Sequence, residues 1–82
     1  LKTEKKTKTF HKNAGSKITV EVSVFPTKKI RIGIVAKSIG RMYVETTDMA
    51  KKTFNIKKTG EYSVFVTNKS DSTIHVVGNY TK

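Results

Sequence analysis

The sequence predicts an all-β chain, an antiparallel β-sandwich of six to seven strands, on three observations. Apolar side chains recur at every second position in one segment after another. Clusters of Gly, Asn, Ser, Asp and Pro punctuate those segments at intervals of about ten residues, the spacing of small sandwiches and barrels. No segment carries helical periodicity long enough to build a core. A small Greek-key barrel meets the same spacing and stays open as the alternative closure.

Taken in order, residues 1–13 form a basic arm. Lys2, Lys5, Lys6, Lys8 and Lys12 stand against a single Glu4, with few apolar groups to hold the segment in a core, so a loose arm is expected. Within it, residues 8–12 can pair as an edge strand anchored by Phe10, its lysines discouraging other chains from stacking there. Residues 14–82 form a single sandwich domain. After a turn at Asn13-Ala14-Gly15-Ser16, the residues Ile18, Val20, Val22 and Val24 share one face of a strand over 17–25. Phe25 ends that strand on its polar side, and Pro26 stops the ladder because it has no N–H.

Ile30, Ile32, Ile34 and Ala36 point inward from a strand over 29–37, and a strand over 41–47 carries Met42 and Val44 on one face and Tyr43 and Glu45 on the other. Asp48-Met49-Ala50-Lys51-Lys52 is expected to form one helical turn before a short strand over 53–56, with Phe54 and Ile56 inward. Tyr62, Val64 and Val66 then alternate, as do Ile74, Val76 and Gly78. The Asn68-Lys69-Ser70-Asp71-Ser72 loop between them predicts a β-hairpin.

The spacing Gly60-x-Tyr62-x-Val64 resembles the tyrosine corner of immunoglobulin-like sandwiches, with Val64 where antibody domains carry a cysteine. The longer run from Gly60-Glu61-Tyr62 through Ile74-x-Val76-x-Gly78-x-Tyr80 resembles the final hairpin of small exported immunoglobulin-like β-sandwich proteins of Gram-positive bacteria. That resemblance implies a secreted or envelope location with a leader removed before Leu1, and no particular activity. A cytoplasmic location stays open beside it.

Composition narrows the function. A chain of 82 residues makes one domain with a thin core. Its net charge of +11 points to an anionic partner: a membrane, a wall polymer or nucleic acid. The absence of cysteine excludes a disulfide scaffold and a thiolate metal site. No apolar run approaches the roughly 18 residues of a membrane-spanning helix. His11 and His75 lie far apart in the chain, and the carboxylates are scattered. No catalytic, cofactor-binding or metal-binding residue is therefore assigned, and the chain reads as a non-enzyme without a cofactor.

The lysine doublets Lys28-Lys29, Lys51-Lys52 and Lys57-Lys58 are expected at strand ends, as contacts to an anionic surface. In an immunoglobulin-like order the strands over 29–37, 62–68 and 74–80 are neighbours. Arg31, Val35, Lys37, Phe65, His75 and Val77 then form an interaction face, with Val35, Phe65 and Val77 as an apolar strip. If that face drives self-association, Phe65→Asp leaves folding intact and favours the monomer. The expectation is a secreted cationic sandwich that binds an anionic membrane or cell-wall polymer, in an antimicrobial or envelope-associated role. The alternatives are a nucleic-acid-binding barrel using Arg31, Lys37, Arg41 and Tyr43, and a structural or adhesive module with no ligand.

Overall fold

The computed structural model describes residues 4–37 and 39–81, and every regular element among them is a strand. They are β1 (Glu4–Lys6), β2 (Phe10–Lys12), β3 (Lys17–Phe25), β4 (Ile30–Ala36), β5 (Gly40–Thr46), β6 (Met49–Asn55), β7 (Gly60–Asn68) and β8 (His75–Thr81). Two antiparallel sheets pack face to face. The first runs β1-β7-β4-β5, with β2 also on β7, and the second runs β6-β3-β8.

The alternation is what buries the core. Ile18, Val20, Val22 and Val24 of β3 face Ile30, Ile32, Ile34 and Ala36 of β4, joined by Phe54, Ile56, Tyr62 and Val64, and all are buried. Burying each such aliphatic or aromatic side chain contributes about 1.5–3 kcal/mol. The Tyr62 hydroxyl donates to the Lys58 carbonyl at 2.5 Å, which is the bond of a tyrosine corner.

Three expectations need correcting. The predicted hairpin between residues 62 and 80 does not form. β8 pairs with β3 instead, from Thr19↔Thr81 to Phe25↔His75. The edge of β7 that β8 would need is occupied by the arm, with β1 on one half (Glu4↔Thr67 to Lys6↔Phe65) and β2 on the other (Phe10↔Tyr62 to Lys12↔Gly60). The connection after β7 is an arch. The Asn68 side chain bonds the Ser70 N–H and the Ser72 carbonyl, and the Lys69 N–H donates to the Lys29 carbonyl at 3.0 Å, turning the chain toward the other sheet. In the immunoglobulin order the last strand flanks the penultimate one. Here the N-terminal arm takes that place.

The arm, second, is docked along β7 from Glu4 onward; residues 1–3 lie outside the described residues. Where β1 and β2 break, Thr7 bridges the gap. Its N–H donates to the Val64 carbonyl at 2.9 Å and its hydroxyl oxygen accepts from the Val64 N–H at 3.0 Å.

Third, the expected helical turn over 48–52 is the start of β6, which pairs with β3 from Ser23↔Met49 to Lys17↔Asn55. A full ladder against β3 outweighs the intrinsic helical preference of Met, Ala and Lys, which tertiary pairing readily overrides.

Loops 26–29, 47–48 and 69–74 gather at one end of the sandwich. Loops 13–16 and 56–59 and the β4–β5 turn gather at the other.

Candidate functional site

On the outer face of the first sheet, Lys6, Phe65, Gly33 and Tyr43 are consecutive cross-strand neighbours on β1, β7, β4 and β5. Gly33 offers no side chain to compete with Phe65, and the Arg41 guanidinium sits 4.5 Å above the Phe65 ring centroid. Arg41 in turn donates to both Glu4 oxygens, at 2.6 and 2.9 Å, and Thr67 donates to the same carboxylate at 2.9 Å. Chiefly because of Arg41, and despite partial burial, the Glu4 pKa falls to about 2. Phe65 is consequently only 1% exposed. Beside it, Arg31 Nε donates to Glu45 at 2.7 Å and its guanidinium covers Tyr43 at 4.5 Å. That bond holds the Glu45 carboxyl below its ordinary range.

The expected interaction face is therefore not assembled. Arg31, Val35 and Phe65 lie on the first sheet, with Val35 half-buried and Phe65 covered, and Lys37 is exposed in the β4–β5 turn. His75 and Val77 lie on the second sheet, because β8 pairs with β3. Phe65→Asp now predicts a buried charge and a destabilised fold.

Nor do the lysine doublets converge. Lys28 and Lys29 occupy the 26–29 loop, where the Lys69 backbone joins them. Lys51 and Lys52 are in the middle of β6, opposite Glu21 and Val20, and not at a strand end. Lys57 and Lys58 sit at the opposite end of the molecule.

What the fold does bring together is apolar. On the outer face of the second sheet, Met49 and Val77 flank Ser23 in one row, and Phe25 follows two residues along β3, opposite His75. Phe25 is 76% exposed, Met49 67% and Val77 74%. The group lies beside the loop end that carries Lys28, Lys29 and Lys69 together with Asp48 and Asp71, and Lys51 is in the next row opposite Glu21. Part of this was visible in the alternation, which puts Phe25 and Val77 on outward positions. Met49 was hidden by the expected helical turn.

Elsewhere, His11 bridges Asn13 (2.9 Å) and Glu61 (3.0 Å) on the surface, contacts that raise its pKa and tie β2 to β7. Among the described residues no group of His, Cys, Asp or Glu could hold a metal ion. No family model matches the chain, and comparison with curated proteins and with solved structures returns no match.

Proposed function

We propose that this is a secreted or envelope-associated protein that docks on anionic lipid surfaces through the Phe25–Met49–Val77 tip. The observation that carries the reading is three large apolar side chains, each more than two-thirds exposed, on one face beside a lysine-bearing loop end. Clustered exposed apolar groups beside a loop end whose lysines outnumber its aspartates fit an interfacial binding surface. The net charge of +11 supplies attraction from a distance, and lysines held at the headgroups add about 1 kcal/mol each. Burying Phe25, Met49 and Val77 among acyl chains supplies a contribution of similar size, about 1.5–3 kcal/mol per side chain. A wall polymer would attract the charge but offers these side chains no apolar phase.

The nucleic-acid alternative has less geometric support. Arg31 and Arg41 are each committed to a carboxylate, and one face of Tyr43 is already covered by Arg31. Co-sedimentation with phosphatidylglycerol and phosphatidylcholine vesicles tests the proposal. Wild type is expected to prefer the anionic vesicles, to weaken as salt rises, and to lose affinity about tenfold or more in Phe25→Ser/Val77→Ser. Equal binding to both lipids, or a double variant that binds like wild type, contradicts it.

A further inference from the structure

The two sheets do not close along one side. There β1 edges the first sheet and β8 the second, and they are not hydrogen-bonded neighbours. Val76 and Tyr80 belong to the inward-facing set of β8, opposite Val24 and Val20, yet they are 36% and 37% exposed. Between the edges runs a cleft of about 520 Å³ with Val20, Val22 and Val64 among its lining. At one end Phe10 stacks on Tyr80, with ring centroids 5.7 Å apart, and Thr73 and Ile74 of the β7–β8 arch line the other. Cavities of roughly 300–1,000 Å³ with mainly apolar linings are the usual size of small-molecule sites.

The polar groups are at the mouth. No buried side-chain nitrogen or oxygen among the described residues lacks a partner, so nothing in the interior awaits a polar ligand atom. Thr7 and Asn68, which also line the cleft, are already committed to the backbone at Val64 and Ser72. Lys5 is different. It pairs with Val66, on the inward-facing side of β7, and lines the cleft with Lys6 beside it. Neither lysine has a carboxylate at ion-pair distance among the described residues.

The geometry points to a single-chain anionic amphiphile, of the fatty-acid carboxylate class, as the occupant. Its alkyl chain lies on the valine floor and its head group meets the Lys5 ammonium. This site is separate from the proposed lipid-docking tip: Phe25, Met49 and Val77 are not among the cleft residues with Lys5, although Val77 is the chain neighbour of Val76.

The test is a titration of methyl-labelled full-length protein with laurate, below its micelle threshold and without vesicles. Saturable one-to-one shifts are expected at Val20, Val22, Val64 and Val76, with the outward Val77 methyls the least affected. Dodecyltrimethylammonium should bind at least about tenfold more weakly, and Lys5→Glu should cost laurate a similar factor. Val76→Trp, on the strand opposite the arm, should abolish binding while leaving the cross-strand contacts of β3 and β8 in place. Equal affinity for the two amphiphiles, laurate shifts centred on Phe25 and Val77, or sedimentation as a dimer with the cleft methyls unmoved by laurate would overturn the assignment. The last outcome would identify a second copy as the occupant.

Discussion

Glu4 and Arg41 sit at opposite edges of the first sheet, and their bidentate pair spans it above Phe65. The bond keeps the arm in place and keeps Phe65 dry. Because folding lowers the Glu4 pKa, its contribution is complete above the ordinary value of 4.5 and is lost as pH falls through about 2. His11 acts in the opposite sense. Its pKa is raised, so its hold on Asn13 and Glu61 is complete below 6.5 and fades as pH rises through the raised value. Contacts between the Phe10 and Tyr80 rings, followed by NMR, should therefore be most persistent between pH 4.5 and 6.5 and weaken on both sides. Arg41→Gln should remove the acid limb of that profile and lower stability slightly, since the pair is partly exposed and screened by solvent. A profile that Arg41→Gln leaves unchanged would show that Glu4 is not the acid-side anchor. At Gly33 a side chain would run into the Met42 carbonyl and the Tyr43 backbone. Gly33→Ala should cost about 1–3 kcal/mol in denaturant unfolding, and a neutral result would mean that β4 and β5 can part without loss.

At the scale of elements, what differs among the strands is how many neighbours each has. β3, β4 and β7 each have a partner on both sides, whereas β5, β6 and β8 each pair on one side only. Amide exchange should be slowest in β3, β4 and β7 and fast in β8, all of whose residues are exposed. Slow exchange throughout β8 would mean that its outer edge is covered in solution. The strands and their inward faces were legible because a period of two assigns each side chain to a face without reference to partners. Partner choice was legible only in part: the strands over 29–37 and 62–68 are neighbours as expected, but the place of β8 was not readable. Alternation in β7 and β8 suits a hairpin as well as an arch, and only Thr7 filling a ladder gap and Asn68 folding the arch decide between them. Lys52 obscured β6 for a related reason. It occupies an inward-pattern position opposite Val20 that only an edge strand leaves open to water.

For the whole molecule, the charge total was readable and its distribution only in part: Lys28-Lys29 and Lys57-Lys58 flank strands at opposite ends as expected, whereas Lys51-Lys52 lie within β6. The sequence shows +11, but two arginines are neutralised in place by Glu4 and Glu45, and the lysine doublets scatter over both ends and one strand. Phe25 and Val77 were recognisable as outward. That they share a face with Met49 follows only once β8 is seated on β3. This placement gives the sandwich a distinct apolar side, and the docking proposal depends on it. The chain contains no cysteine, so a single engineered thiol can report orientation unambiguously. An environment-sensitive fluorophore at Val77→Cys, on the outer face of the second sheet, and at Tyr43→Cys, on that of the first, should be compared on phosphatidylglycerol vesicles. The account predicts a blue shift and protection from aqueous quencher at 77 and neither at 43. The same response at both positions, or a response at 43 alone, would contradict it.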